Sequence, residues 1–78
     1  MRVLAFSRKI RKGDLDDDYT LYENGEVLHE YDQNTYLSGL NLKKTLTIDE
    51  LNEDIKQRLL EAASDSDKEH VRQILGLH

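Results

Sequence analysis

The chain has 78 residues, 37% of them hydrophobic and 35% charged, with 16 acidic and 11 basic side chains and a formal net charge of −5. A chain of this size buries only about 60–65% of the surface its unfolded form exposes, which allows one modest core and no second domain. The absence of cysteine excludes a disulfide scaffold and a thiolate metal site, and no window approaches the ~18 uninterrupted apolar residues of a membrane span.

A mean hydropathy of −0.75 leans toward disorder. The apolar residues nevertheless recur at period 2 in the first half and at helical spacing in the second, an order that only a folded chain requires. Residues 2–10 read as a first strand. Its apolar run Val3-Leu4-Ala5-Phe6 suggests cover on both faces, and it is too short for the roughly 7–15 apolar residues of a secretory signal. Arg8, Lys9, Arg11 and Lys12 make its far end basic, and Gly13-Asp14 opens an acidic loop through Asp18.

Residues 18–23 and 26–31 flank Asn24-Gly25, the preferred pair for a two-residue type I′ hairpin. That turn pairs Tyr22 with Val27 and Leu21 with Leu28. It groups Tyr19, Leu21 and Leu28 on one face, and Thr20, Tyr22, Val27, His29 and Tyr31 on the other. Residues 32–39 are a polar connection, and 40–46 a fourth, half-buried strand. Thr47 with Glu50 forms a capping box opening a helix over 48–62, whose apolar face is Ile48, Leu51, Ile55, Leu59 and Ala62. Ser66 with Glu69 opens a second helix over 67–75, with Val71, Ile74 and Leu75 as its apolar face and Gly76 as its stop.

Strands grouped before helices predict a single α+β domain over 1–78, an antiparallel four-stranded sheet in the N-terminal half covered on one face by two C-terminal helices. The expected core is Leu4, Phe6, Leu21, Leu28, Leu42, Leu46, Leu51, Ile55, Leu59, Val71, Ile74 and Leu75.

Chemical signatures are absent. The glycines at 13, 25, 39 and 76 make no phosphate-cradling loop. The histidines at 29, 70 and 78 do not form a zinc helix motif. Asp14, Asp16 and Asp18 match the start of a calcium loop, but Tyr19 and Gly25 stand where its glycine and glutamate belong. The chain is therefore expected to be non-enzymatic, with no metal and no cofactor.

Charge is uneven. Residues 1–12 hold five basic and no acidic side chains, and residues 13–32 hold eight acidic and no basic ones. All four tyrosines fall between 19 and 36. An outward face of Tyr22, Val27, His29 and Tyr31, with Tyr36 at its rim, suits a protein partner or a weak homodimer. The alternative is an acidic inhibitor or antitoxin-like protein, a nucleic-acid charge mimic. It would present Asp14, Asp16, Asp17, Asp18, Glu23, Glu26 and Glu30 to a basic site. The same acids argue against direct nucleic-acid binding. The leading expectation is a small protein-interaction module, cytoplasmic and independent of membranes.

Overall fold

Period-2 alternation builds the strands and helical spacing builds the helices. A computed structural model describes residues 2–11, 15–32 and 42–77. The strands are β1 (Val3–Ser7), β2 (Ile10–Arg11), β3 (Leu15–Tyr22), β4 (Val27–Tyr31) and β5 (Leu42–Leu46). A single 3-10 turn at Ile48–Glu50 precedes α1 (Glu53–Ala62) and α2 (Lys68–Leu75). The sheet is antiparallel, in the order β1-β3-β4-β5, with the short β2 also paired to β3. The class is α+β, as expected from strands preceding helices. Among the described residues no helix is long and apolar enough to cross a membrane.

Three boundaries differ from the sequence reading. The first strand breaks at Arg8-Lys9 into β1 and β2. The acidic segment expected to be a loop is strand from Leu15 onward, because Asp16 pairs with Ile10 of β2 while Asp17 pairs with Tyr31 of β4. The Thr47–Glu50 capping box forms, with Glu50 Oε1 accepting from the Thr47 N–H at 3.1 Å, but it closes one 3-10 turn only. Leu51 and Asn52 return to extended backbone. The Asn52 side chain then accepts from the Ile55 N–H at 2.9 Å and starts α1. At the other end Lys68 donates to the carbonyls of Leu60, Glu61 and Ala63 at 3.2–3.3 Å, supplying partners to a helix terminus that lacks them. Gly76 ends α2 with a φ of 71°, the left-handed cap its position suggested.

The hairpin register is one residue away from that of a type I′ turn. Leu21 pairs with Val27, Thr20 with Leu28 and Tyr19 with His29. The Tyr22 N–H donates to Glu26 O at 2.9 Å and the Gly25 N–H to Tyr22 O at 3.0 Å, so the loop holds three residues, Glu23-Asn24-Gly25. Gly25 supplies the positive φ, 89°, of the bulge residue that follows a type I turn in such loops. Asn24 contributes differently, its Oδ1 accepting from the Glu26 N–H at 3.0 Å. The one-residue change regroups the faces of the hairpin. Tyr19, Leu21, Val27, His29 and Tyr31 lie on one side, and Thr20, Tyr22, Leu28 and Glu30 on the other.

A second irregularity lies in β1. Val3 pairs with Tyr22 but Ala5 with Leu21, so β1 carries one extra residue, a bulge that lets Leu4 and Ala5 both be buried. Val3 and Phe6 remain exposed. The core is Leu4, Ala5, Tyr19, Leu21, Val27, Leu51, Leu59, Ala63, Val71 and Leu75, with Leu46, Ile55 and Ile74 packed against it. Phe6 and Leu28, expected in the core, leave it through the bulge and the register, and Tyr19 and Val27 take their place. Helix α1 lies on β1 and β3, and α2 packs on α1.

Candidate functional site

The sheet has one face toward the helices and one without a helical cover among the described residues. Each is organised in rows that cross the strands. On the helix side one row is Ala5, Leu21, Val27 and Leu46, and the next is Ser7, Tyr19, His29 and Lys44. Here the His29 ring stacks on Tyr19 at 4.2 Å and 4°, and on Tyr31 at 4.4 Å and 20°. His29 Nε2 lies 2.6 Å from Asp17 Oδ1, and because a carboxylate only accepts, the imidazole nitrogen is the donor. Arg58 of α1 donates to Ser7 Oγ at 3.1 Å, to Asp17 O at 2.9 Å and to Asp17 Oδ2 at 3.3 Å, and its guanidinium lies 5.1 Å from the centre of the Tyr19 ring. Burial raises the pKa of Asp17, but the His29 hydrogen bond and the charges of His29 and Arg58 together hold it below the ordinary carboxylate value. The cluster is closed on itself, fastening α1 to β1 and β3.

The open face is divided by charge. Its apolar part is the row Phe6, Thr20, Leu28 and Thr45, with Val3 beside Tyr22 in the next row. Val3 is 47% and Phe6 45% exposed, and a depression of about 280 Å³ opens between Tyr22, Leu28 and Thr45. On the other side of the Phe6 row, Asp18 of β3 stands opposite Glu30 of β4, which stands opposite Lys43 of β5. Arg8 reaches Asp18 from the β1 side at 3.6 Å. A cleft of about 390 Å³ is lined by Arg8, Asp16, Asp18, Glu30, Tyr31, Asp32 and Lys43. Asp16 and Asp32 are tied by backbone, the Asp16 N–H donating to Asp32 Oδ2 at 3.0 Å and the Asp32 N–H to Asp16 O at 2.9 Å. Asp18 is 8% exposed, and its buried Oδ1 has no hydrogen-bond donor among the described residues.

The residues named from sequence are therefore distributed over the molecule. Tyr22 is on the open face, Val27 is fully buried, and His29 and Tyr31 belong to the stacked cluster on the helix side. Tyr22, Val27, His29 and Tyr31 do not share one outward surface, because the three-residue loop places Val27 opposite Leu21. The weak homodimer expected on that face loses its shared patch for the same reason. Tyr36 and Asp14 lie outside the described residues. Of the acids, Asp16, Asp18 and Glu30 come together in the cleft, Asp17 is held on the opposite face, and Glu23 and Glu26 sit at the hairpin turn. Sequence reading missed Asp32, Phe6, Arg8 and Lys43 as open-face residues, and Arg58 as the clamp. The unbroken run Val3–Phe6 was the available signal for the bulge, since four consecutive apolar residues exceed what one strand face accommodates. Among the described residues no group of histidine and carboxylate side chains is arranged to hold a metal ion. No protein-family model, curated protein or solved structure matches the chain.

Proposed function

We propose that the chain is a small, non-enzymatic protein-interaction module acting in the cytoplasm, and that its binding surface is the open face of the sheet. The observation that carries this reading is the apolar row of Phe6 and Leu28 with Val3 and Tyr22 beside it. Large apolar side chains gathered on one sheet face that no helix covers among the described residues are costly to solvate and mark contact surfaces. An acidic cleft adjoins that row, so the partner presents apolar and basic groups together. The charge-mimic alternative is less well supported, because Asp17 is taken up by His29 and Arg58 and the remaining acids are split between the cleft and the turn.

The test compares quantitative capture from a native extract by the wild-type chain, a Phe6→Ser, Leu28→Ser double variant and a Lys44→Glu control on the helix-side row. The expected result is a partner identified by mass spectrometry that is lost with the double variant and retained with the control, while circular dichroism shows both folded. Equal capture by all three removes the open face from consideration.

A further inference from the structure

Resting on that reading, we propose that the acidic cleft is the recognition pocket for a single arginine side chain of the partner protein, with Asp18 as the buried acceptor and Arg8 as a displaceable placeholder. Asp18 faces Glu30 directly across the β3–β4 ladder, and like charges directly opposite destabilise a sheet. Asp16 and Asp32 close the next row, where Asp32 Oδ2 accepts from the Asp16 N–H, and the cleft is lined by four carboxylates with Arg8 and Lys43 as the cations among its described residues. Repulsion of this kind within a small domain has no folding benefit, and the unpartnered buried Oδ1 of Asp18 adds to it.

The cation nearest Asp18 does not satisfy it. Arg8 Nε stands 3.6 Å from Asp18 Oδ2, beyond hydrogen-bond length, and the Arg8 side chain is 65% exposed. It can therefore swing aside at little cost and open the floor of the cleft. A guanidinium fits what it leaves. Its planar fork of five donors can reach two carboxylates on opposed strand positions, and it is more weakly hydrated than an ammonium. The cleft of about 390 Å³ admits such a side chain. The neighbouring row of Phe6 and Leu28 lies one strand repeat away, roughly 7 Å, so apolar residues flanking the arginine meet it.

The probe is acetyl-Leu-Arg-Leu-amide, titrated into the ¹⁵N-labelled chain and followed by amide shifts, with the citrulline and lysine peptides as controls. Saturable shifts are expected at residues 16–18 and 30–32. Affinity should fall about tenfold or more for the uncharged citrulline peptide and for Asp18→Asn, and several-fold for the lysine peptide. Arg8→Ala should tighten binding by roughly two- to fivefold as competition for Asp18 is removed. Asp18→Asn should keep or raise the melting temperature, which a merely structural carboxylate would not do. Glu30→Gln serves as the second variant should Asp18→Asn not fold, and it should also weaken binding. Equal shifts with the citrulline peptide, or no effect of Arg8→Ala and Glu30→Gln, overturn the arginine site. Shifts confined to Val3, Phe6 and Leu28 overturn it as well while leaving the open face intact as the contact surface. Failure of the open face itself is read separately, from the capture experiment.

Discussion

Replacing Arg58 with methionine tests the clamp that joins α1 to the sheet. Methionine keeps an apolar stem over Tyr19 but removes the hydrogen bonds to Ser7 Oγ, Asp17 O and Asp17 Oδ2. A hydrogen bond with a charged partner contributes about 1.5–3 kcal/mol in isolation. Three that share one guanidinium do not add fully, and the Arg58 and Asp17 side chains are still 20% and 17% exposed, which screens them. The expected loss is about 2 kcal/mol, against a total of roughly 4–12 kcal/mol for a chain of this length. With a urea slope of about 1 kcal/mol/M for a small domain, the unfolding midpoint should fall by about 2 M. Far-UV circular dichroism in urea at pH 7 measures it directly. In an Asp17→Asn background the effect of Arg58→Met should shrink by about 0.5–1.5 kcal/mol, since the two side chains act on one another. A loss below about 0.5 kcal/mol, or an undiminished loss in that background, would refute the clamp.

Acid stability should depend on the same carboxylate. The folded-state pKa of Asp17 is below its unfolded value, so its contribution is complete above the ordinary value of 3.8 and is lost as pH falls through the folded one. Asp17→Asn should therefore lower stability at neutral pH and flatten its decline on acidification, as urea midpoints between about pH 2 and pH 7 will show. Gly25→Ala should cost about 1–2 kcal/mol because of its positive φ, whereas Asn24→Ala should cost only the bond to Glu26, about 0.5–1 kcal/mol. Comparable losses at both positions would restore the type I′ turn, as would nuclear Overhauser contacts pairing Leu21 with Leu28. Asn52→Ala should cost about 1 kcal/mol in thermal unfolding, and no change would place the start of α1 elsewhere. Leu59→Ala, at a fully buried position, should cost about 3–4 kcal/mol and leave the chain largely unfolded in mild urea.

The order and class of the elements were legible because alternation and helical spacing are local signals, and the end of α2 at Gly76 was legible for the same reason. The register was not. Asn-Gly closes either a two-residue loop or the last two positions of a three-residue one, and nothing within the flanking residues separates the two. That single ambiguity exchanged Leu28 for Val27 in the core and dispersed the tyrosine face. The start of α1 was obscured because Thr47 and Asn52 are both competent caps, and each is used. The Arg58–Asp17 contact spans 41 residues between a helix and a strand, and no periodicity announces it. The acids of the cleft were named in part, but their convergence with Arg8 and Lys43 required the strand order.

The bulge in β1 has a bearing on how anything can approach the molecule. Among the described strands β1 and β5 are the outer ones of the path β1-β3-β4-β5, and a straight outer strand presents an evenly spaced row of backbone donors and acceptors onto which another chain can zip. The extra residue between Val3 and Ala5 breaks that spacing on one side. On the other, β5 carries Lys43 and Lys44 in succession, both exposed, whose charges meet those of any second copy laid alongside. Both described margins thus carry features that disfavour lateral growth of the sheet. On the proposed reading of the open face, recognition would then fall to side chains met broadside, with specificity resting on what Phe6, Leu28 and the carboxylates beside them can read.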